Sequence, residues 1–223
     1  MPPQFLLTDQ GVKNHEESKN IMINKPKYKV CRRLGSGVYE KCQTQKFTLS
    51  EAKHAKTKKF GNRKSLSSFA SQLLEKQKIR YTYGLSEKQF SNYIKVATIS
   101  EGTNTSEKLF VILESRLDNI IYKIGIAETR PLARQMVSHG HFTVNGRKVT
   151  IPSYKVKIGD LIKIRKGSEN KKIFSNLSKK LKDYNFPPWI KFDPNKIEAE
   201  VRNTPKNDQA FLNFETVLEF YSR

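Results

Sequence analysis

The apolar residues of this chain change their spacing once, and that change limits the possible folds more than any other feature. Leu66, Phe69, Ala70, Leu73 and Leu74 recur every three or four residues. So do Phe90, Tyr93, Ile94 and Ala97, then Leu109, Ile112 and Leu113, then Leu117, Ile120, Ile121 and Ile124, and finally Leu132, Ala133, Met136 and Val137. This is the period of helices with one buried face. Beyond Gly140 the period drops to two, in Phe142-Thr143-Val144 and Lys148-Val149-Thr150-Ile151 on either side of Asn145-Gly146. Asn-Gly tolerates the positive φ angles of a two-residue hairpin turn, so it pairs these runs. A further strand pair is expected around Ile158-Gly159-Asp160, ending where Ile162 and Ile164 alternate with Lys163 and Arg165. Helices followed by antiparallel strands predict an α+β fold.

Local signals divide the chain. Residues 1–24 are polar and unpatterned and read as a flexible tail, and 25–47 read as a basic extended arm. A helical domain is expected over 48–106. It has a helix after Thr48, one capped by Ser65 or Ser67, and one opened by the capping box of Ser86 and Gln89. Residues 107–167 form the helix-and-hairpin unit, with Thr129 as a cap and Gly125 and Gly140 as terminators. Residues 168–186 read as a linker, and 187–223 as a C-terminal segment packing back on the body. In that segment Ile197, Ala199 and Val201 predict one strand and 217–221 another. Only 36% of the 223 residues are hydrophobic, which suits two modest cores better than one large one.

Charge narrows the function. The chain carries 42 Lys and Arg against 21 Asp and Glu, a net +21. Segment 25–80 has 16 basic and 3 acidic residues, and 110–167 has 11 and 4. Such an excess repels itself unless a polyanion neutralises it, and two blocks predict two contacts with nucleic acid. In the first block Lys27, Lys29, Arg32, Arg33, Lys58, Lys59, Arg63, Lys64, Lys76, Lys78 and Arg80 are candidate nucleic-acid contacts. In the second, Arg130 and Arg134 lie four apart on a helix face that the apolar residues leave free. Their guanidinium forks suit phosphate.

Other classes find little support. No apolar run is long enough to span a bilayer, Met1–Asn24 lacks the pattern of a secretory signal, and the basic stretch 25–64 has no apolar face for a membrane surface. Cys31 and Cys42 are the only cysteines and are expected as reduced thiols. Gly35 and Gly37 alone make no phosphate loop, and no Ser/His/Asp arrangement stands out. No cofactor is expected.

Five short motifs occur in one order: Arg116-Leu117-Asp118-Asn119, Thr129-Arg130-x-x-Ala133-Arg134-Gln135, Val137-x-His139-Gly140, Val144-Asn145-Gly146, and Pro152-Ser153-x-x-Val156-x-x-Gly159-Asp160. Together they resemble the RNA-binding module named after ribosomal protein S-four. The resemblance implies helices packed on a small antiparallel sheet. It implies RNA contacts at Arg116, Arg130, Arg134, His139, Asn145 and Lys148, with Arg147 beside them on the hairpin. The flanks 27–35, 75–90, 188–190 and 219–223 are similar to the bacterial-type small-subunit ribosomal protein S-four family itself, over about 25–223. That family implies a structural, non-enzymatic constituent binding small-subunit ribosomal RNA early in assembly, at a junction in the subunit body. It also implies proteins S-three and S-five as neighbours, messenger RNA nearby, an influence on decoding accuracy, and a single copy rather than a homo-oligomer. The expected location is a bacterial cytoplasmic ribosome, with an organellar one second.

The alternative is a pseudouridine synthase carrying the same module, since Arg116-Leu117-Asp118 echoes its catalytic motif. Ser115 stands where such an enzyme has Gly, Asn119-Ile120-Ile121 continues a helical pattern, and the 56 residues after Gly167 leave no room for a catalytic domain. Some relatives of the S-four family hold zinc with four cysteines. Here Tyr28 and Phe47 occupy the first and fourth places, His54 is an exposed residue of a Lys-rich helix, and no metal is expected.

Overall fold

In a computed structural model that describes residues 26–57, 66–99, 104–175, 177–181, 184–194, 196–206 and 211–222, the chain divides into two units, 1–63 and 64–223. The tail 1–24, Ser65 and the candidates Lys58, Lys59, Arg63 and Lys64 lie outside the described residues.

The first unit is not an extended arm. Lys27–Leu34 form helix α1, which Gly35 ends at φ 107°; two 3-10 turns, Ser36–Val38 and Glu40–Gln43, lead to helix α2, Gln45–Thr57. Cys31 and Leu34, three apart on one face of α1, are buried together with Val38, Cys42 and Phe47. Lys and Arg between these positions concealed so small a core. Cys31 and Cys42 are joined in a disulfide across Cα atoms 6.5 Å apart, contrary to the expected free thiols. The Tyr28 and Phe47 rings meet edge to face at 5.3 Å.

The second unit has two hydrophobic clusters. The first is built from helices α3 (Ser68–Thr82), α4 (Glu87–Ile99) and α5 (Thr105–Glu114), with Ile79, Leu85, Phe90, Ile94, Leu109 and Leu113 at its centre. Ser67 Oγ accepts from the Ala70 amide and Ser86 Oγ from the Gln89 amide, which caps α3 and α4. Leu66 and Phe69, expected on the buried face of the helix that Ser67 caps, are 65% and 53% exposed; α3 turns Gln72 and Ile79 inward instead.

The second cluster joins helices α6 (Leu117–Lys123) and α7 (Arg130–Ser138) to a sheet. Strands β1 (Phe142–Val144), β2 (Arg147–Val149) and β3 (Leu161–Ile164) precede the short helix α8 (Leu177–Lys180); β4 (Ile190–Asp193) and β5 (Glu198–Val201) follow it. Among the described residues the order is β2-β1-β3-β5-β4, antiparallel throughout. Asn145 and Gly146 take φ 50° and 79° in the β1–β2 turn, as the hairpin requires. Phe142, Val144, Ile162, Ile164 and Ala199 all face the core.

Three expectations change here. The strand pair near Ile158 is the single strand β3, because residues 150–158 contribute only the bridge Arg116–Lys155. The stretch 168–186 is no plain linker: Phe174, Leu177 and Leu181 are buried in the second cluster. The terminal strand over 217–221 is instead helix α9, Phe214–Tyr221. Its core-packed residues Phe214, Val217, Leu218 and Tyr221 fall three, one and three apart, a helical spacing that five residues alone cannot reveal. Helix α9 closes the first cluster, and Glu87 fastens its end. The Tyr221 hydroxyl donates to Glu87 Oε1 at 2.8 Å, Lys76 Nζ lies 2.6 Å from the same oxygen, and Arg80 binds Oε2.

A buried polar knot ties the clusters together where α5 passes into α6. Arg116, 3% exposed, grips Asp118 with Nε to Oδ1 at 3.0 Å and Nη2 to Oδ2 at 2.6 Å, and Nη1 donates to the Tyr93 hydroxyl. Arg134 reaches Asp118 Oδ2 from α7 at 3.1 Å and donates to the carbonyls of Gly84 (2.6 Å) and Tyr83 (3.1 Å). Glu114, 1% exposed, accepts from the Tyr83 hydroxyl at 2.6 Å and from Asn119 Nδ2 at 2.9 Å. Asn119 Oδ1 accepts in turn from Arg130 Nε at 2.9 Å. Burial disfavours the charge of Arg116, but the hydrogen bonds and charge of Asp118 outweigh it and raise its pKa. Burial, aided by Glu114, pushes the Tyr83 phenol well up, so it stays a donor.

Three outcomes are expected. Asp118→Asn strands two arginines, one of them buried, and should lower unfolding free energy by about 3–5 kcal/mol in urea titrations. Reducing the disulfide should add two alkylation adducts to the denatured chain by mass, and Cys31→Ser should destabilise the first unit by about 2–3 kcal/mol, as an 11-residue loop predicts. Although burial alone would raise the pKa of Glu87, Lys76, Tyr221 and Arg80 lower it below the ordinary 4.5. Its ionised form therefore stabilises the fold above pH 4.5, and that contribution fades as pH falls through the lowered value. A profile of melting temperature against pH should be flatter on its acid side in Glu87→Gln.

Candidate nucleic-acid interface

One group of exposed cations of the second unit lies where α7 gives way to the hairpin. Helix α7 ends at Ser138, and Gly140 reverses the chain at φ 68° into β1. A Cβ on Gly140 would stand 2.3 Å from Lys148 Cε and 3.2 Å from its Nζ, so the lysine stem of β2 lies directly over this turn. Glycine suits this turn for its φ, whereas the flexible end of Lys148 could swing aside for a side chain. His139, Asn145, Arg147 and Lys148 are all exposed. The His139 and His141 rings are 5.9 Å apart, and buried His141 places Nδ1 3.0 Å from Ser168 Oγ. Its pKa is lowered by burial first, then by the charges of Lys171, His139 and Arg165. Arg165 and Lys171 thus share this cationic surface. Neither stood out in the sequence, because one ends a strand and the other sits in a stretch that reads as a linker.

Exposed Glu169 lies between Arg165 and Lys171 in the chain, while three other carboxylates of the unit are withdrawn. Glu114 and Asp118 are buried, and Asp160 is held in a turn by Asn145 Nδ2 at 2.8 Å and the Lys157 amide at 2.7 Å. Asn145, though exposed, also accepts from the Leu161 amide at 2.9 Å and so builds the turn.

Arg130 and Arg134 do share one face of α7, but that face meets the protein. Arg134 is bound as described, and the Arg130 guanidinium lies 4.2 Å from the Tyr122 ring centre and 5.1 Å from that of Tyr83. Arg116 is interior. Other cations of the first basic block also have local duties: Lys76 lies over Phe220 at 4.5 Å, Lys78 over Phe211 at 4.2 Å beside Glu75 at 3.0 Å, and Arg80 pairs with Glu87. In the first unit Lys27, Lys29 and Arg33 are exposed, while Arg32 donates to Ser50 Oγ at 2.9 Å.

Asp118 cannot receive a substrate, enclosed as it is by two guanidinium groups at 3% exposure. Among the described residues no three His, Cys, Asp or Glu side chains converge as metal ligands, and no helix is long and apolar enough to cross a membrane.

In known proteins the family boundary falls between the two hydrophobic clusters of the second unit. The S4 domain family matches residues 115–162, which hold α6, α7 and the hairpin, and the ribosomal protein S4/S9 N-terminal domain family matches residues 22–114. The small ribosomal subunit protein uS4 of Roseiflexus sp. (strain RS-1) is 42% identical over 204 residues, covering 89% of this chain and 97% of that protein. Those of Oenococcus oeni (strain ATCC BAA-331 / PSU-1) and Persephonella marina (strain DSM 14350 / EX-H1) are 40% and 41% identical, over 89% and 88% of this chain and 96% and 97% of theirs. With the two domains in tandem and the likeness running along most of its length, the chain belongs to the uS4 family of small-ribosomal-subunit proteins, structural constituents of the ribosome and not enzymes.

Proposed function

We propose that this chain binds small-subunit ribosomal RNA directly and helps to organise a helical junction in the subunit body early in assembly. The observation that carries this is the surface around Gly140. Arg147, Lys148, Arg165 and Lys171 present positive charge there beside His139, and they outnumber the exposed carboxylate near them in the chain, Glu169. A rigid hairpin bearing cations suits the backbone and shape of folded RNA, whose base edges are poorly accessible. Lys27, Lys29 and Arg33 supply a second contact, joined by Lys58, Lys59, Arg63 and Lys64 as the sequence suggests. Arg116, Arg130 and Arg134 act by holding the module in shape, and Lys76, Lys78 and Arg80 by fastening α9.

The relatives' names place those proteins in the small subunit, and their bacterial hosts favour a bacterial cytoplasmic ribosome for this chain. Proteins S-three and S-five as neighbours, proximity to incoming messenger RNA, an influence on decoding accuracy and a single copy per subunit follow from the family resemblance.

Binding to a ribosomal RNA body fragment should be measured across a salt series. The double variant Arg147→Ala/Lys148→Ala should bind more weakly and reduce the slope of log K against log salt by about 2, near one per lost phosphate contact. Unchanged affinity and slope would remove the hairpin from the interface.

A further inference from the structure

A cleft of about 460 Å³ opens where α6 ends, lined by Tyr122, Lys123, Gly125, Glu128, Lys180 and Tyr184. None of these belongs to the hairpin surface. The volume falls within the roughly 300–1,000 Å³ of small-ligand sites, and its chemistry has two parts. One is aromatic. Gly125 turns at φ 76°, and a Cβ there would stand 2.8 Å from Tyr184 Cε2 and 3.0 Å from Cδ2 and Cζ, so the ring sits closely over bare backbone. Phe186 supports that ring at 5.3 Å. Tyr122 supplies a second ring, already in contact with the Arg130 guanidinium.

The other part is cationic. Lys123 is three-quarters covered, and its Nζ comes no nearer than 3.9 Å to Glu114 Oε2, an oxygen that also accepts from Asn119. Burial first, then Arg130, disfavour its charge despite Glu114, so a further anion there would be stabilised. Lys180 stands at the rim, 2.6 Å from exposed Glu128. A planar ring beside a poorly compensated ammonium suits a ligand with one flat face and one negative group. In a nucleic acid that is a single nucleotide out of the stack, because a base inside a helix cannot offer its face.

We propose that this cleft receives one unstacked, phosphorylated nucleoside, with its base against Tyr184 and its phosphate toward Lys123 and Lys180. The assignment rests on the RNA-binding reading above. It has its own test, because the cleft and the hairpin share no residue.

The full chain should be titrated with a short single-stranded oligoadenylate, with adenosine monophosphate and with inorganic phosphate, and the oligonucleotide photo-crosslinked and mapped. Crosslinks are expected on the peptides holding Tyr122 or Tyr184. Tyr184→Ala should weaken oligoadenylate binding about tenfold, while Tyr184→Phe retains it and reports an intact fold. Glu128→Gln, which releases Lys180 from its partner, should tighten binding severalfold. Saturable binding of the mononucleotide makes free nucleotides a source, and binding of the oligonucleotide alone makes an RNA strand the source; either supports the cleft. Inorganic phosphate competing as well as the mononucleotide overturns it, since the ring would then be idle. Wild-type binding of both adenylates by Tyr184→Ala and Glu128→Gln also overturns it, and a loss confined to Arg147→Ala/Lys148→Ala would leave the hairpin assignment standing. The converse pattern, loss only in Tyr184→Ala, supports the cleft and leaves the hairpin to its own test on folded RNA.

Discussion

A carboxylate shielded from water needs compensating charge, and Asp118 has it from two sides. Arg116 grips both of its oxygens along the chain, and Arg134 comes in from α7 and continues to the carbonyls of Tyr83 and Gly84. The knot therefore fixes three things at once: the path from α5 into α6, the seat of α7, and the turn between α3 and α4. Without Asp118, Arg116 would be a buried unpaired charge, so the arrangement depends on the carboxylate. The angle at which the hairpin is presented depends on α7, and through it on this carboxylate.

The same arrangement shapes the electrostatics of the surface. By drawing Glu114 and Asp118 inward, the second unit removes two negative charges from its surface. Arg116 leaves the surface with them, while Arg134 stays partly exposed and Arg147, Lys148 and Lys171 remain outside. For the proposed RNA contact, cations held in a defined geometry suit recognition by shape.

Helix α9 and the stretch before β4 are stabilised in a comparable way. Glu87 gathers Lys76, Arg80 and the Tyr221 hydroxyl at the end of α9, while Phe174, Leu177 and Leu181 bury a segment whose composition is polar. Charged residues that look like RNA contacts in a basic chain can be latches, and the difference lies in whether a carboxylate or an aromatic face stands within reach.

The sequence by itself determined the α+β class, the caps of α3, α4 and α7, the Asn145-Gly146 hairpin and the family, because each depends on residues close together in the chain or on motifs in order. It also exposed the charge imbalance and hence the class of partner. It could not reveal which cations face outward. Arg134 and Arg147 look equally available until Asp118, 16 positions from Arg134, is seen to hold one of them. Nor could it reveal the core of the first unit, where Cys31 and Cys42 meet across a turn among lysines, or that the last residues are helical. Tertiary structure decided these because they rest on desolvation, and whether a side chain loses its water depends on what folds over it from elsewhere in the chain.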